Sequence, residues 1–462
     1  MVRLAHWRRR VNGGLLDNPV LRQFLSPGVI EGYCRQVGHV WRASFWSPAM
    51  TLHAFLIQVL DPVKTVRSAV AQLQAQLIGS GRVDLPSGDP SAYCQARRRL
   101  PGAVIQRLLG QSTDRLRHLV GGERSWLGRQ VWVLDGSSAS MPDTPELQRA
   151  FPQPPGQKPG CGFPVAQFVA LFCWTTGAVI DLAIDTIRPH ELTLFRRLGH
   201  HFSAGDVVLG DRAYCSYVDL ARLLEKGVFS VFRLHQRRVA NFRRGLRLGA
   251  DDRLVVWQRP QRWLPSMGIS LDAFEALPET MTVRLVRITG AVRGFRSRTI
   301  VIATTLLDPI EVPADDIRAL YRDRWTVELN LRSLKVALGM DLLRGQSVDV
   351  VRKEIAMHLL AYNLIRTIMW QAARRHGRDL HRLSFTGTLH RLRAVLPVWR
   401  VITSRRCRQR FIDELLSGIA RDTIPHRPNR IEPRRRKRRP KPYSLLVKPR
   451  SWYHHHIDTE AR

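Results

Sequence analysis

Two aspartates in the sequence stand directly after apolar runs, at positions where a divalent cation could be held. Asp135 follows Val131–Leu134 in the segment VWVLDGSS, and Asp211 follows Val207–Gly210 in the segment VVLGDRAY. Each segment predicts a buried strand that ends at its aspartate, and strand ends are where α/β sheets build their active sites. Either aspartate alone is explained more simply as a turn or capping residue. Two carboxylates together, however, can share hard cations such as Mg²⁺.

A third acid, Glu328, lies in the segment DDIRALYRDRWTVELNLRSLKVALGM, which predicts one long helix. At about 100° per residue, the polar residues around Glu328 fall within one stripe about 80° wide. These residues are Tyr321, Arg324, Arg332 and Lys335. An apolar stripe beside them predicts the packing face, formed by Val327, Leu331, Leu334 and Leu338. Asp323 falls well away from Glu328 on the same helix, so we expect it to face elsewhere.

The simplest interpretation of this helix is a solvated charged face with an i,i+4 pair between Arg324 and Glu328. That interpretation leaves the two strand-end aspartates and the charge of the whole chain unexplained. Phosphodiester chemistry accounts for all of them, because carboxylates position two cations while basic side chains and a tyrosine hydroxyl hold phosphates. We therefore expect Asp135, Asp211 and Glu328 to bind two Mg²⁺ ions, with Mn²⁺ tolerated.

The composition favours a polyanionic partner. The 462 residues contain 73 Lys and Arg against 38 Asp and Glu, which gives a formal net charge of +35. Neutralising DNA phosphates releases condensed counterions, so such a charge favours nucleic-acid binding. An anionic membrane is the rival partner, but we expect no membrane contact. The uncharged stretch 161–180 is interrupted by Pro164 and the turn TTG, and it predicts two buried strands instead of a membrane helix.

The remaining metal-ligating residues give no sequence signal for a second site. Six cysteines, at positions 34, 94, 161, 173, 215 and 407, form no C-x-x-C pair. We expect buried free thiols in a reducing cytoplasm and no zinc knuckle. The runs His200–His201 and His454–His456 could bind a transition metal, but surface histidines without a specific ligand are the simpler interpretation. No signal peptide is visible at the N-terminus, so the prediction is a cytoplasmic protein, and no small-molecule cofactor is expected.

The N-terminal part, residues 1–125, is predicted to be helical and to contact DNA. The stretch Met50–Leu60 predicts an amphipathic helix, and Ala92–Leu109 predicts two helices broken at Pro101–Gly102. The second stretch includes the basic run QARRR, which is compatible with a helix-turn-helix. A plain helical pair with solvated arginines is the alternative interpretation.

The rest of the chain alternates strands and helices, which indicates a mixed α/β fold. We predict a catalytic core in two parts, 126–235 and 307–375, separated by a β-rich insertion at 236–306. Residues 376–462 are predicted to be helical and then basic, with the run RRRKRR at 434–439. Such a tail is expected to be poorly ordered unless nucleic acid or another domain holds it.

The spacing Y-x-x-R-x-x-x-E-x-x-x-x-x-x-K, met by Tyr321, Arg324, Glu328 and Lys335, resembles the signature of the DDE transposases of the insertion-sequence-four family. The segments LDGSS, GDRAYCSY, SAYCQARRRLP and RRKRRPKPYSLLVKPR are also similar to this family, so the resemblance covers most of the chain. It implies a ribonuclease-H-like core with a β-strand insertion. It also implies Mg²⁺-dependent cleavage at transposon ends, in which water frees a 3′-hydroxyl that then attacks target DNA.

The resemblance further implies residue roles and partners. Tyr321, Arg324 and Lys335 would grip phosphates near the cut, with Arg212 as an additional DNA contact. The partner would be double-stranded DNA, at transposon ends and target, bound by a homodimer associated with a bacterial nucleoid. Some relatives flip a base against an aromatic residue. Trp257 or Trp263 could do so here, although packing within the insertion is the simpler role for both.

Two other function classes are compatible with the same acids. One is a nuclease on the same ribonuclease-H-like core that cuts DNA without strand transfer. The other is an inactive transposase copy that acts as a DNA-binding repressor. The stripe formed by Tyr321, Arg324, Glu328 and Lys335 argues against the first. The intact set of three acids gives no support to the second.

Overall fold

The computed structural model describes residues 25–120, 126–187, 191–289, 299–399, 402, 404–424, 446–449 and 451–453. The basic run at 434–439 and His454–His456 lie outside these residues, so the predictions made for them are not addressed. None of the helices in the described ranges combines the length and the apolar character that a bilayer crossing requires.

Five helices form the N-terminal region: α1 (Pro27–Gln36), α2 (Pro48–Leu60), α3 (Val66–Gly79), α4 (Ser91–Arg99) and α5 (Gly102–Val120). Helix α2 begins where the Ser47 hydroxyl accepts a hydrogen bond from the Met50 amide, an N-cap that satisfies one free donor. The prediction that this helix is amphipathic is wrong, because every residue of α2 is buried. It is surrounded by other helices on all sides, and its apolar character is not confined to one face.

The predicted break between α4 and α5 is confirmed, since α4 ends at Arg99 and α5 begins at Gly102. The basic run on α4 is divided between two environments. Arg97 is 9% exposed, lies over the Phe55 ring and donates to Gln58 at 3.0 Å, whereas Arg98 and Arg99 are exposed. At most two of these three arginines are therefore free to reach DNA, and DNA contact by this region stays a prediction.

The described part of the chain contains one nine-stranded sheet, in the order β3-β2-β1-β4-β5-β9-β8-β7-β6. Its strands are β1 (Val131–Ser140), β2 (Val165–Cys173), β3 (Val179–Thr186), β4 (Val207–Gly210), β5 (Phe229–Arg233), β6 (Leu246–Gly249), β7 (Asp252–Gln258), β8 (Thr280–Thr289) and β9 (Thr299–Thr304). Strands β1, β4 and β5 are parallel, and the other neighbours are antiparallel. The strand pair predicted within 161–180 is confirmed as the hairpin β2–β3.

The prediction that the first strand ends at Asp135 is wrong. Strand β1 continues to Ser140, because β2 pairs with it over its whole length, from Trp132 with Cys173 to Ser140 with Val165. Strand β4, in contrast, pairs with β1 only as far as Val133. Asp135 therefore lies in the middle of its own strand but beyond the end of the parallel neighbour.

Residues 236–306 contribute β6 to β9, and these strands extend the same sheet. Strand β9 pairs antiparallel with β5, from Val231 with Thr304 to Arg233 with Ile302. Four helices lie along the connections between strands: α6 (Pro145–Ala150), α7 (Glu191–Arg197), α8 (Tyr217–Glu225) and α9 (Leu271–Glu275). The β-rich segment is thus joined to the core strands by backbone hydrogen bonds as well as by the chain.

The long helix predicted around Glu328 is divided in the structure. It consists of α10 (Ala314–Asp323), α11 (Trp325–Arg332) and a π-helical turn at Ser333–Ala337. The division falls at Arg324, whose amide donates to the Tyr321 carbonyl three residues earlier and so tightens the turn. The predicted packing stripe is confirmed, because all four of its residues are buried: Val327, Leu331, Leu334 and Leu338.

Three further helices complete the fold: α12 (Val348–Arg375), α13 (Phe385–Trp399) and α14 (Arg405–Arg421). Most of α12 is buried, since it packs between α5, α2, α14 and the sheet. One hydrophobic cluster unites the N-terminal helices, α10 to α12 and the face of the sheet that includes Val131 and Val133. A second cluster covers the other face, where Leu134 and Val208 pack against α7 and α8.

Asn363 on α12 is expected to be a major stabilising residue of this shared core. It is 0% exposed, and its amide exchanges hydrogen bonds with the Val179 amide at 3.0 Å and the Val179 carbonyl at 2.9 Å. It also donates to Thr113 at 3.1 Å. Replacement by Ala leaves these buried groups without partners, so we expect Asn363→Ala to lower the free energy of unfolding by about 2–3 kcal/mol.

Urea unfolding followed by tryptophan fluorescence measures this change. Asn241→Ala is the matched control, because Asn241 is exposed and makes only a local bond to the Arg243 amide. An Asn363→Ala protein as stable as the Asn241→Ala protein would show that these hydrogen bonds contribute nothing net.

Candidate active site

Asp135 and Asp211 lie side by side on neighbouring parallel strands. Val133 pairs with Leu209, and each aspartate follows two residues later along its own strand direction. Side chains alternate between the faces of a strand, so both aspartates point to the face covered by α10 to α12. The short length of β4, which ends at Gly210, leaves Asp211 at the sheet edge beside Asp135.

Glu328 reaches the same place from α11, which packs against β1. The chain after α11 is fastened to the far end of that strand. The Ser140 amide donates to the Asp341 carbonyl, and the Leu343 amide donates to the Ser140 carbonyl, both at 2.9 Å. The helix that contains Glu328 is thereby held over the strand that contains Asp135.

The charges of the converging side chains act on one another. Burial raises the pKa of Asp135 to about 6, with Arg324 opposing the rise and Glu328 adding to it. Burial alone would lower the pKa of Arg324, but Tyr321, Glu328 and Asp211 together raise it. Five side chains, from β1, the end of β4 and the α10–α11 segment, therefore share one electrostatic environment, in which Arg324 is the counter-ion of the acids.

Glu328 is paired in this structure with Arg324, whose guanidinium donates to Glu328 Oε1 at 2.7 Å. Among the described residues, Asp135, Asp211 and Glu328 do not bring one oxygen each within 4.8 Å of the others. Binding of one cation by all three acids thus requires their side chains to move closer together. The acids are otherwise suited to hard cations, because carboxylate oxygens are the ligands that such ions prefer. A bound cation would also offset the repulsion between the negative charges of these side chains.

The four residues expected to hold DNA differ in accessibility. Tyr321 is 2% exposed and Arg324 is 8% exposed, so neither presents its polar group to a phosphate in this conformation. Arg324 also lies over the Tyr321 ring, 5.7 Å from its centroid. Arg212, immediately after Asp211, is exposed. Lys335 is half-buried and donates to the Ser137 hydroxyl, on the same face of β1 as Asp135.

The remaining sequence expectations near this region have mixed outcomes. Asp323 is exposed, as predicted from its place on the helix. Trp257 is 8% exposed beneath Arg238, and the Trp263 indole donates to the Ile269 carbonyl at 3.0 Å, so both have packing partners. Base stacking by either tryptophan stays a prediction. Cysteines 34, 161, 173 and 215 are buried and free, whereas Cys94 is half-buried and Cys407 is exposed.

Two residues near the acids were not identified from the sequence. Glu191 begins α7, and its negative charge is among those that raise the pKa of Asp135. Tyr214 is 2% exposed, and among the described residues its hydroxyl has no hydrogen-bond partner. The sequence signal that could have located them is a pair of glycines inside strands, Gly136 and Gly210, because a strand glycine often marks a close approach by another group.

The histidine pair at His200–His201 also has an unexpected neighbour. Asp181 on β3 brings a carboxylate oxygen to it, and the three side chains place one ligand atom each within 4.8 Å of one another. The sequence interpretation of these histidines rested on their neighbours along the chain. It did not include the strand that folds against them.

A family model described as "Transposase DDE domain" matches residues 126–364. This range contains every acid of the candidate site and all nine strands, and it spans just over half of the chain.

Two curated relatives and one solved structure are similar to the chain. The transposase InsG for insertion sequence element IS4, from Escherichia coli, is 26% identical over 447 residues, which cover 94% of this chain and 95% of that protein. The putative transposase InsZ, also from Escherichia coli, is 28% identical over 143 residues, 30% of this chain and 46% of that protein. A cryo-EM structure of piggyBac transposase in a synaptic complex with hairpin DNA aligns with a TM-score of 0.44 and 10% identity. The alignment covers 85% of this chain and 83% of that one.

Proposed function

Because this chain belongs to the transposase DDE domain family, as a transposase of the insertion-sequence-four type, we propose that Asp135, Asp211 and Glu328 are its catalytic carboxylates. The family makes the chain a metal-dependent enzyme that cuts DNA. The single observation that carries the residue assignment is the convergence of these acids. Two of them lie level on parallel strands, and the third is held above them by a helix fastened to β1.

We propose that the bound cations are Mg²⁺ and that two are held per site. Carboxylate oxygens are the ligands that this ion prefers, and two ions shared among three acids would relieve the repulsion between them. When bound, such ions stabilise the negative charge that develops on the attacking and leaving oxygens of a phosphodiester.

The protein's own residues prepare the site for this chemistry. Asp135 and Asp211 provide a rigid base, since Asp135 lies within β1 and Asp211 directly follows β4. Glu328 is the adjustable ligand, because its helix is fixed while its side chain exchanges Arg324 for the cation site. Arg324 stays beside Asp135 and Asp211 and limits the cost of gathering acids in a half-buried place.

The exposures divide the expected phosphate contacts into two roles. Lys335 and Arg212 are proposed to bind phosphates directly, because both flank the aspartates and neither is buried. Tyr321 and Arg324 are proposed to position the Glu328 side chain, because Arg324 lies over the Tyr321 ring and donates to the Glu328 carboxylate. Because both side chains are buried, they could contact a phosphate directly only if the segment from α10 to α11 moved away from the sheet. This refines the role that the family resemblance implied for these two residues.

Lys335→Ala is expected to slow cleavage of transposon-end DNA by about ten-fold and to weaken binding by about 1 kcal/mol. Loss of one phosphate contact should also reduce the slope of log affinity against log salt by about one. The measurement is fluorescence anisotropy with end DNA at several salt concentrations. Arg332→Ala is the control, because Arg332 is an exposed cation on the same helix. An unchanged salt slope for Lys335→Ala would contradict the assignment.

A ribonuclease-H-like core is also part of this proposal. The order β3-β2-β1-β4-β5, with β1, β4 and β5 parallel and helices on both faces, supports it. We further propose that the chain acts on double-stranded DNA as a homodimer, since two ends must be cut together, and that it associates with the nucleoid. The net charge of +35 supports the DNA partner.

Strand transfer is tested with a labelled transposon end, unlabelled plasmid and Mg²⁺. A transposase joins the label to the plasmid. Free cut ends without joining would indicate the nuclease alternative, and a shifted but uncut end would indicate a binding protein. Omission of Mg²⁺, or addition of EDTA, should abolish both cutting and joining while the DNA stays bound.

A further inference from the structure

A glycine adjoins each of the two aspartates. These glycines place no side chain on the face of the sheet opposite to the aspartate side chains. Gly136 follows Asp135 and Gly210 precedes Asp211, so both glycines face α7 and α8. A Cβ added at Gly136 would lie 2.5 Å from Glu191 Oε1, and one added at Gly210 would lie 2.9 Å from the Tyr214 ring. The glycines therefore make room for a carboxylate and a phenol directly beneath the proposed cation site.

Neither of these two polar groups has a partner. Within the described ranges, the Glu191 carboxylate makes no hydrogen bond or ion pair, and the Tyr214 hydroxyl is buried without an acceptor. Burial, and then the charges of Glu191, Asp135 and Asp211, raise the pKa of Tyr214 well above its usual range, so this phenol is a neutral donor. A buried hydroxyl without a partner costs about 1–3 kcal/mol, and such groups usually have a role.

Strand β4 ends at Gly210 and pairs with β1 only as far as Val133, so among the described strands β1 has no neighbour on this side at Asp135. Glu191, on the α7 side, would therefore be available to hold a cation together with Asp135, Asp211 and Glu328.

We propose that Glu191 is a fourth carboxylate of the cation site and that the Tyr214 hydroxyl donates a hydrogen bond to it when a cation is bound. This inference rests on the proposed function of Asp135, Asp211 and Glu328. Glu191 would thus be a cation ligand, and Tyr214 would be a positioning residue that acts through Glu191. Neither residue is proposed to contact DNA.

The test is Mn²⁺ binding to the full chain in the absence of DNA. The binding is measured by isothermal titration calorimetry and by electron paramagnetic resonance. Glu191→Gln should weaken Mn²⁺ binding by about ten-fold, with Glu191→Asp in between. Tyr214→Phe should weaken it by a smaller factor. Glu225→Gln is the matched control, because Glu225 is an exposed acid on the neighbouring helix. Wild-type affinity and spectrum in Glu191→Gln would overturn the proposal.

Gly136→Ala gives an independent variant that changes no charge. Its methyl group displaces the Glu191 carboxylate, so it should weaken Mn²⁺ binding as Glu191→Gln does, while the unfolding midpoint shows that the protein is folded. Asp135→Asn distinguishes failure of the proposed cation site as a whole from failure of Glu191 as an additional ligand. If Asp135→Asn binds Mn²⁺ normally, the proposed active site itself is wrong. If only Glu191→Gln and Gly136→Ala bind normally, the fourth carboxylate alone is wrong.

A second inference stands on the cluster of Asp181, His200 and His201. Asp181 Oδ2 lies 2.8 Å from His201 Nε2 and 3.8 Å from His200 Nε2. His200 Nδ1 lies 2.9 Å from the Arg197 carbonyl, which can only accept, so in the neutral ring Nδ1 has the proton and Nε2 has the lone pair. Metal-ligating histidines are usually held by such a bond from their other ring nitrogen.

We infer that this cluster binds a transition-metal cation of the Zn²⁺ class, for which two imidazole nitrogens and a carboxylate oxygen are suitable ligands. The ion would join the edge strand β3 to the turn that follows α7. Because α7 begins at Glu191, the same ion would stabilise the helix beneath the active site.

Zn²⁺ titration of the full chain tests this site, in a background where His454, His455 and His456 are Ala and Mg²⁺ is present. His201→Ala and Asp181→Asn should each weaken Zn²⁺ binding more than about ten-fold. His376→Ala, an exposed histidine elsewhere, should have no effect, and Asp135→Asn should retain the site. Equal Zn²⁺ affinity in wild type and His201→Ala would overturn this inference.

Discussion

Asp135→Asn, Asp211→Asn and Glu328→Gln are each expected to slow DNA cleavage by at least about a thousand-fold, equivalent to about 4 kcal/mol of transition-state stabilisation. Each change removes one negative ligand while it keeps the size of the side chain. DNA affinity should change by less than about two-fold, because the basic surface that binds phosphates is untouched.

The loss of cleavage should not come from unfolding. Burial and neighbouring negative charges raise the pKa of Asp135 to about 6, so its ionised form is unfavourable in the folded protein. Asp135→Asn removes that charge and should leave the unfolding midpoint equal or higher, as is common when an active site is neutralised.

Cleavage of a labelled transposon end and a gel shift with the same DNA measure the two effects. Asp323→Asn is the matched control for Glu328→Gln, because it is an exposed acid close by that faces elsewhere. Glu328→Gln protein that cuts at the wild-type rate would refute the assignment of Glu328.

Arg284→Met is expected to cause the largest loss of stability, about 3–5 kcal/mol. Arg284 is 0% exposed, and its guanidinium binds both carboxylate oxygens of Asp252 on β7, with Nε at 2.8 Å from Oδ1. It also donates to the carbonyls of Val312 at 2.7 Å and Asp308 at 3.2 Å. The substitution leaves a buried carboxylate unpaired and releases the segment that leads into α10.

Urea unfolding of three variants tests this explanation. Arg287→Met removes a partly exposed pair between β8 and Asp251, which lies in the turn just before β7, and it should cost less than about 1 kcal/mol. The double variant Arg284→Met with Asp252→Leu should recover most of the loss, because no buried charge remains. A double variant as unstable as Arg284→Met would show that the carbonyl contacts matter more than the unpaired aspartate.

Local patterns in the sequence predicted much of the structure around the candidate site. The apolar runs before Asp135 and Asp211 predicted two core strands, and the periodicity around Glu328 predicted the buried stripe beneath it. These features depend on neighbours along the chain, where side-chain alternation and the helical repeat apply.

Features set by distant partners could not be predicted in this way. Strand β1 passes Asp135 because β2 pairs along its whole length, which the apolar run of β1 does not encode. Tyr321 is buried because α10 lies against the sheet, although the helical wheel placed it with the polar residues. Glu191 reaches Gly136 only because α7 packs against β2 and β3.

The pairing of β9 with β5 has a consequence for the order of events during synthesis. The two aspartates leave the ribosome with their strands, but Glu328 follows about 120 residues after Asp211, beyond all of the inserted strands. Helix α11 acquires its place only when β9 has closed onto β5, a contact between segments distant in the chain and slow to form. We therefore expect the three proposed catalytic acids to come together late in folding, after the inserted strands have paired.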